Sequence, residues 1–227
     1  MDNSWNLTAL RTAINARKPK QHDRLIEIIN SLGRSSQIFE YHKRLARDAF
    51  TAFDEENDPK GIKYASHFFG CEDDQDAIQE ADLISQANLI SCIATTRNAY
   101  DSFGQLINSL VLPKPLTTKF YIFEVRDKLP AGKLKRRLNK ALSSKWFAYT
   151  HAFMNEIKHH RLIVHRPTIS FIDENRGGKI AGFKHKSKAF PEYWVREALE
   201  GTVELQNSLV ACGKLLNQLY LEETPHQ

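Results

Sequence analysis

The chain has 227 residues, 41% of them hydrophobic and 26% charged, with a net charge of +5 at pH 7. That length favours one domain over two, and that composition buries a core of useful size and excludes wholesale disorder. The basic excess, 32 Lys and Arg against 27 Asp and Glu, is mild and compatible with a polyanionic partner without requiring one.

In chain order, apolar residues at helical spacing predict a first helix over Leu7 to Ala16 and a second over His22 to Leu32, stopped by Gly33. Ser35 and Ser36 offer an N-cap for a third helix, Gln37 to Phe53. Asp54 to Asp74 reads as a long connection with one helical turn around Tyr64 to Phe69, since Pro59, Gly61 and Gly70 break the periodicity. Asp76 to Leu112 contains no Pro and a single Gly, which predicts the longest helix, ended by Pro113 and Pro115. Phe120 to Leu129 carries a helical stripe, and Lys133 to Leu142 is a basic amphipathic helix. Lys145 to His165 reads as one helix closed by Pro167. Thr168 to Asp173 and Lys179 to His185, flanking Gly177 and Gly178, read as a β-hairpin. A final helix spans Tyr193 to Glu222, and the tail ETPHQ reads as frayed.

The expected architecture is therefore all-α: a single domain over residues 1–227, an up-and-down helical bundle with several short extra helices and one small hairpin at 168–185. Residues 1–75 supply the N-terminal helices and the long connection, and 76–222 the main bundle.

The most concentrated chemistry lies in KWFAYTHAFMNEIKHHRLIVHRP, Lys145 to Pro167. On a helical wheel Trp146, Phe153, Ile157 and Val164 form a buried line, and Arg161 and His165, four residues apart, meet on its flank. A guanidinium that holds phosphate charge beside a group titrating near neutral pH is what metal-independent RNA cleavage needs. Arg161 and His165 are the expected catalytic pair; the structural alternative is two cations capping a helix C-terminus. Lys158 lies on the same flank, and Asn155, His159, Arg97 and Asp101 complete the polar groups available to a substrate. Asn155 and His159 fall opposite the buried line, where exposure to water is the simpler reading. Their spacing with His151, and that of Glu156 with His160, does not reach the ligand specificity of a metal site, so neither metal nor cofactor is expected. Arg97 and Asp101 are equally a helix-internal salt bridge. The run Lys133, Lys135, Arg136, Arg137 and Lys140 is a solvated face or, beside a phosphate-binding site, a docking surface.

Cys71, Cys92 and Cys212 are far apart, odd in number and in no Cys-x-x-Cys arrangement, which argues against a disulfide framework. The opening MDNSWNLTALRTAINARKPK has no apolar core behind a basic start, and no window approaches the ~20 apolar residues of a membrane span. A cytoplasmic location without membrane contact is expected. No Walker-type loop, GxGxxG, GxSxG or HExxH occurs, which removes most enzyme classes marked by such motifs.

The long helix bearing RNAYDSFGQLINSLVL, with NEIKHHRLIVHRP and a hairpin after it, resembles the HEPN superfamily of prokaryotic helical domains over roughly Asp76 to Glu222. The resemblance implies an up-and-down bundle, often a homodimer, in bacterial defence, toxin–antitoxin or RNA-processing systems, with RNA or an antitoxin-like protein as partner. It implies a metal-independent endoribonuclease in which Arg161 and His165 match the active pair. It equally implies an inactive binding or scaffold domain engaging a protein or nucleotide. With His165 at a helix end, His165→Ala is expected to remove cleavage and leave the melting temperature almost unchanged.

Overall fold

The computed structural model describes residues 4–56, 62, 66, 75–172 and 175–222. Among them are seven helices and five short strands: α1 (Leu7–Arg17), α2 (His22–Glu56), α3 (Gln75–Leu110), α4 (Ile122–Lys128), α5 (Lys133–Leu142), α6 (Lys145–His159), β1 (His165–Ser170), β2 (Asn175–Ile180), β3 (Phe183–His185), β4 (Lys188–Phe190), β5 (Tyr193–Trp194) and α7 (Val195–Glu222). The protein is mostly helical, as expected, but its strands exceed one hairpin. β1, β2 and β5 make a three-stranded antiparallel sheet in that order, and β3 and β4 a separate two-stranded one. The turn expected at Tyr64 to Phe69 falls, apart from Ser66, outside the described residues, as does the tail from Glu223.

At Gly33 the expectation is overturned: α2 runs through it as one helix of 35 residues, with Ser35 and Ser36 in its interior rather than at a cap. A glycine costs a helix interior about 1 kcal/mol relative to alanine. The buried Leu25, Ile29 and Leu32 before it and Phe39, Ala46 and Phe50 after it keep the helix going on both sides.

The chain divides into two compact units, Met1–Ile38, Thr95–Ala148 and Val203–Gln227 forming one, Phe39–Ala94 and Tyr149–Thr202 the other. In the first, Trp5 is the anchor. Its ring meets Phe103 edge-on at 5.5 Å, and its Nε1–H donates to Asn217 Oδ1 at 2.9 Å, while Asn217 Nδ2 donates to Asn6 O at 2.7 Å. Gly213 gives that ring its place, since a Cβ there would lie 2.2 Å from the indole. Tyr100 donates to Leu205 O at 2.9 Å and packs edge-on against Phe147 at 5.0 Å. Burial pushes the Tyr100 phenol well above its ordinary pKa. Past the end of α3, Asn108 closes the chain on itself, accepting from Leu116 N at 2.7 Å and donating to Leu116 O at 3.2 Å.

The second unit is organised around Tyr149, whose ring lies 5.2 to 6.0 Å from those of Phe153, Phe183, Phe190 and Tyr193. Phe183 and Phe190, paired across β3 and β4, stack at 5.0 Å. Such ring pairs add to simple area burial, and they fix the small sheet onto α6.

The end of α6 is the correction that matters for function. The expected helix to His165 stops at His159, and residues 161–164 lead directly into β1. The β-branched Ile163, Val164, Thr168 and Ile169 favour extended chain, and Pro167 pushes Arg166 out of the helical region. Pro167 is tolerated because β1 lies at the edge of its sheet. The hairpin register moves with it: Gly177 and Gly178, expected in the turn, sit inside β2 opposite Thr168 and Pro167.

Candidate functional site

His165 opens β1 and lies inside the second unit, its side chain 2% exposed. Nδ1–H donates to Asp82 Oδ1 at 2.8 Å, and Nε2 lies 3.3 Å from Ser85 Oγ, both on α3. In the neutral ring Nε2 accepts from the Ser85 hydroxyl; in the imidazolium it donates to Ser85 Oγ, whose proton then points to Ala46 O at 3.5 Å. One face of the ring is stacked near Phe50, centroids 6.4 Å apart and planes 19° off parallel. Gly178 closes in as well, because a Cβ there would lie 2.7 Å from His165 Cε1 and 2.8 Å from Phe50 Cε2. A strand glycine marking close approach is the physical sense of that residue.

Hydroxyl, imidazole and carboxylate stand in the order of a nucleophile, its base and the group that orients the base. Ser85 is nevertheless 0% exposed, so no carbonyl or phosphoryl group reaches its oxygen in this conformation. What the arrangement does is join β1 to α3 through a buried imidazole whose two nitrogens both have partners.

The residues expected to share a site are dispersed. Arg161 is exposed beyond the end of α6, and His165 is buried in a strand, so the helical flank that was to bring them together does not exist. Val164, expected on the buried line, is 57% exposed. Lys158 and His159 are exposed in the last turn of α6. Asn155 is half-buried, not solvated, and its Nδ2 donates to His151 O at 2.8 Å. Glu156 faces His185 Nδ1 of β3 at 3.3 Å instead of His160. In the first unit Arg97 and Asp101 form a 2.8 Å ion pair, with the guanidinium 5.4 Å over the Phe147 ring. Arg97 is 7% exposed, which makes this pair part of the core edge. No group of three or more metal-ligating side chains occurs among the described residues, and no described helix is long and apolar enough to cross a membrane.

Sequence reasoning missed Asp82 and Ser85. They stand one helical turn apart on α3, and His165 joins them from 83 and 80 residues away. The available signal was Gly178, expected with Gly177 in the turn but in fact a strand position left bare to admit a ring.

In the first unit a polar cleft of about 470 Å³ lies against Pro115 to Phe120. Among the described residues its cations are Arg24 and Lys119, and amides of Gln21, Gln105 and Asn108 and hydroxyls of Ser109, Thr117 and Thr118 make up the rest of the polar lining, with no carboxylate. Arg24 is held by Gln105 Oε1 at 3.0 Å, and Lys119 lies 5.7 Å over the Tyr121 ring. No protein-family model matches the chain, and no curated protein or solved structure matches it.

Proposed function

We propose that this chain is an RNA-associated helical protein that binds RNA without cleaving it. The observation that carries this reading is the charge of one segment. From Lys114 to Lys145 there are ten Lys and Arg against two carboxylates, Glu124 and Asp127, while the whole chain is only +5, so everything outside the segment is net negative. α5 has no acidic residue at all, and it buries Leu134, Leu138 and Leu142 while Lys133, Arg136 and Lys140 are exposed. Cations concentrated in this way neutralise phosphates and release counterions, which is how sequence-independent RNA affinity arises. The cleft beside Phe120 adds amide and hydroxyl groups that suit unpaired bases, and the exposed Tyr121 adds a ring for stacking.

The cleaving form of the HEPN-like reading asks His165 to move a proton and Arg161 to hold the phosphate. The buried, doubly bonded ring of His165 speaks for the binding form. The up-and-down topology, the homodimer, an antitoxin-like protein partner and a role in bacterial defence belong to the same resemblance and are proposed with it. Because α6 ends at His159, the homodimer rests on the resemblance alone.

The test is fluorescence anisotropy with a labelled single-stranded RNA over a range of KCl concentrations. Wild type should bind at low salt, and Arg136→Glu with Lys140→Glu should lower the magnitude of the log–log salt slope by ~1.4, about 0.7 per lost phosphate contact. The same RNA should remain intact with wild type and with Arg161→Ala, with or without EDTA. Absence of binding at low salt, or binding indifferent to the charge reversal, would overturn the reading; cleavage lost in Arg161→Ala would restore the nuclease.

A further inference from the structure

The cleft against Pro115 to Phe120 is walled by α2, α3 and the chain between α3 and α4, all within the unit that also carries α5. Its wall is tied on both sides. Asn108 holds both backbone groups of Leu116, at 2.7 and 3.2 Å, and Ile122, at the start of α4, lies against Gly104 of α3. Lys135 joins α5 to the end of α4, donating to Asp127 O at 3.1 Å and to Leu129 O at 2.7 Å. The basic face and the cleft thus belong to one packed unit.

Both cations of the cleft have neutral partners. Arg24 Nη2 donates to the amide oxygen of Gln105 at 3.0 Å, and Lys119 Nζ stands 5.7 Å from the centre of the Tyr121 ring. Among the described residues neither forms an ion pair. A guanidinium positioned by an amide keeps its whole charge for an incoming phosphate. Beside these cations, Ile28, Leu116 and Phe120 offer apolar surface to a base, Gln21 an amide to its edge, and Thr117 and Thr118 hydroxyls to a ribose. A volume of about 470 Å³ is that of a small-molecule site, enough for one nucleotide. A base paired within a duplex enters such a site only by leaving its stack.

We infer that the cleft receives one unpaired nucleotide of a single-stranded RNA, with Arg24 and Lys119 holding its phosphate, and that the protein thereby prefers single strands to duplexes. The inference rests on the RNA reading above and adds a selectivity to it. The cations of α5 attract phosphates whether or not the bases are paired, whereas the cleft admits only a base free of its partner.

Fluorescence anisotropy at one low KCl concentration compares a labelled single-stranded RNA with the same RNA annealed to its complement. Wild type should bind the single strand at least ~10-fold more tightly. Arg24→Gln with Lys119→Gln, both at exposed positions, should cut that preference to less than ~3-fold. Arg136→Glu with Lys140→Glu should weaken both forms alike. In wild type, 4-thiouridine placed in the single strand should photo-crosslink within Pro115 to Tyr121, as mapped by peptide mass spectrometry. Absence of binding to either RNA would sink the RNA reading and this inference with it. Equal binding of strand and duplex, a preference untouched by the cleft variant, or adducts confined to α5 would overturn the inference and leave RNA binding in place. Uridine 5′-monophosphate displacing the labelled strand at concentrations as low as the unlabelled strand does would assign the cleft to a free nucleotide, and would overturn it too.

Discussion

Removing the His165 ring takes away its contact with Phe50, the donor on Asp82 and the partner of Ser85 in one step. Deleting a buried ring and leaving a carboxylate short of its hydrogen bond should cost about 2–4 kcal/mol. Arg161→Ala, at an exposed position, should stay within about 0.5 kcal/mol of wild type. Urea unfolding of the two variants separates these outcomes. This reverses what the sequence suggested for His165, where a helix-end position implied little effect on melting. The reversal has a definite cause: the five residues after His159 leave the helix and carry His165 from a solvated flank to the buried start of a strand. A His165→Ala protein as stable as wild type would show that the imidazole joins nothing.

Among the elements, α2 shows how packing overrides a local stop signal. Gly33 has ordinary helical backbone, and a Cβ there would lie 3.6 Å from Leu7 Cδ1, a normal contact. Gly33→Ala should therefore stabilise the protein by ~0.5–1 kcal/mol, by the propensity difference and a smaller unfolded-state entropy. At Gly104 the added carbon would lie 3.2 Å from Ile122 Cδ1 and 3.4 Å from Ile122 Cα. The same substitution there should give no gain, because α4 is packed against that turn. Thermal unfolding of the pair measures the contrast, and a destabilised Gly33→Ala would mean that the turn needs the flexibility of glycine. α5 is the opposite case, where pattern alone suffices: its apolar residues at i, i+4 and i+8 leave the cations on the remaining faces, and its observed limits are those expected.

At the scale of the molecule, burial acts on groups from both units in the same direction. It pushes the thiols of Cys92 and Cys212 up to about 12 and raises the phenols of Tyr100 and Tyr149 further. For each the folded pKa lies above the unfolded value, so the stabilisation is complete below the unfolded pKa and is lost as pH climbs toward the folded one. The unfolded chain begins to release these protons near pH 9 for the thiols and 10 for the phenols. The melting temperature should accordingly hold steady from pH 7 to 8.5 and fall progressively above 9. At pH 8 neither Cys92 nor Cys212 should react with iodoacetamide in the native state, as read by peptide mass spectrometry. Rapid labelling of either would mean that its region opens readily.

Local pattern was enough for the helical character, for the extents of α4, α5 and α7 to within two residues, and for the basic run from Lys133 to Lys140. Each rests on local information: apolar spacing over several turns, proline stops, and charge that stays at the surface wherever the helix lies. Tertiary structure alone decided the continuity of α2 through Gly33, the early end of α6, and the environment of His165. The partners of that histidine come from α3, 80 and 83 residues earlier, and the two cations of the cleft, Arg24 and Lys119, come from α2 and from the chain after α3. Periodicity within a window cannot report such meetings, because they are set by which buried faces meet when the chain folds back on itself.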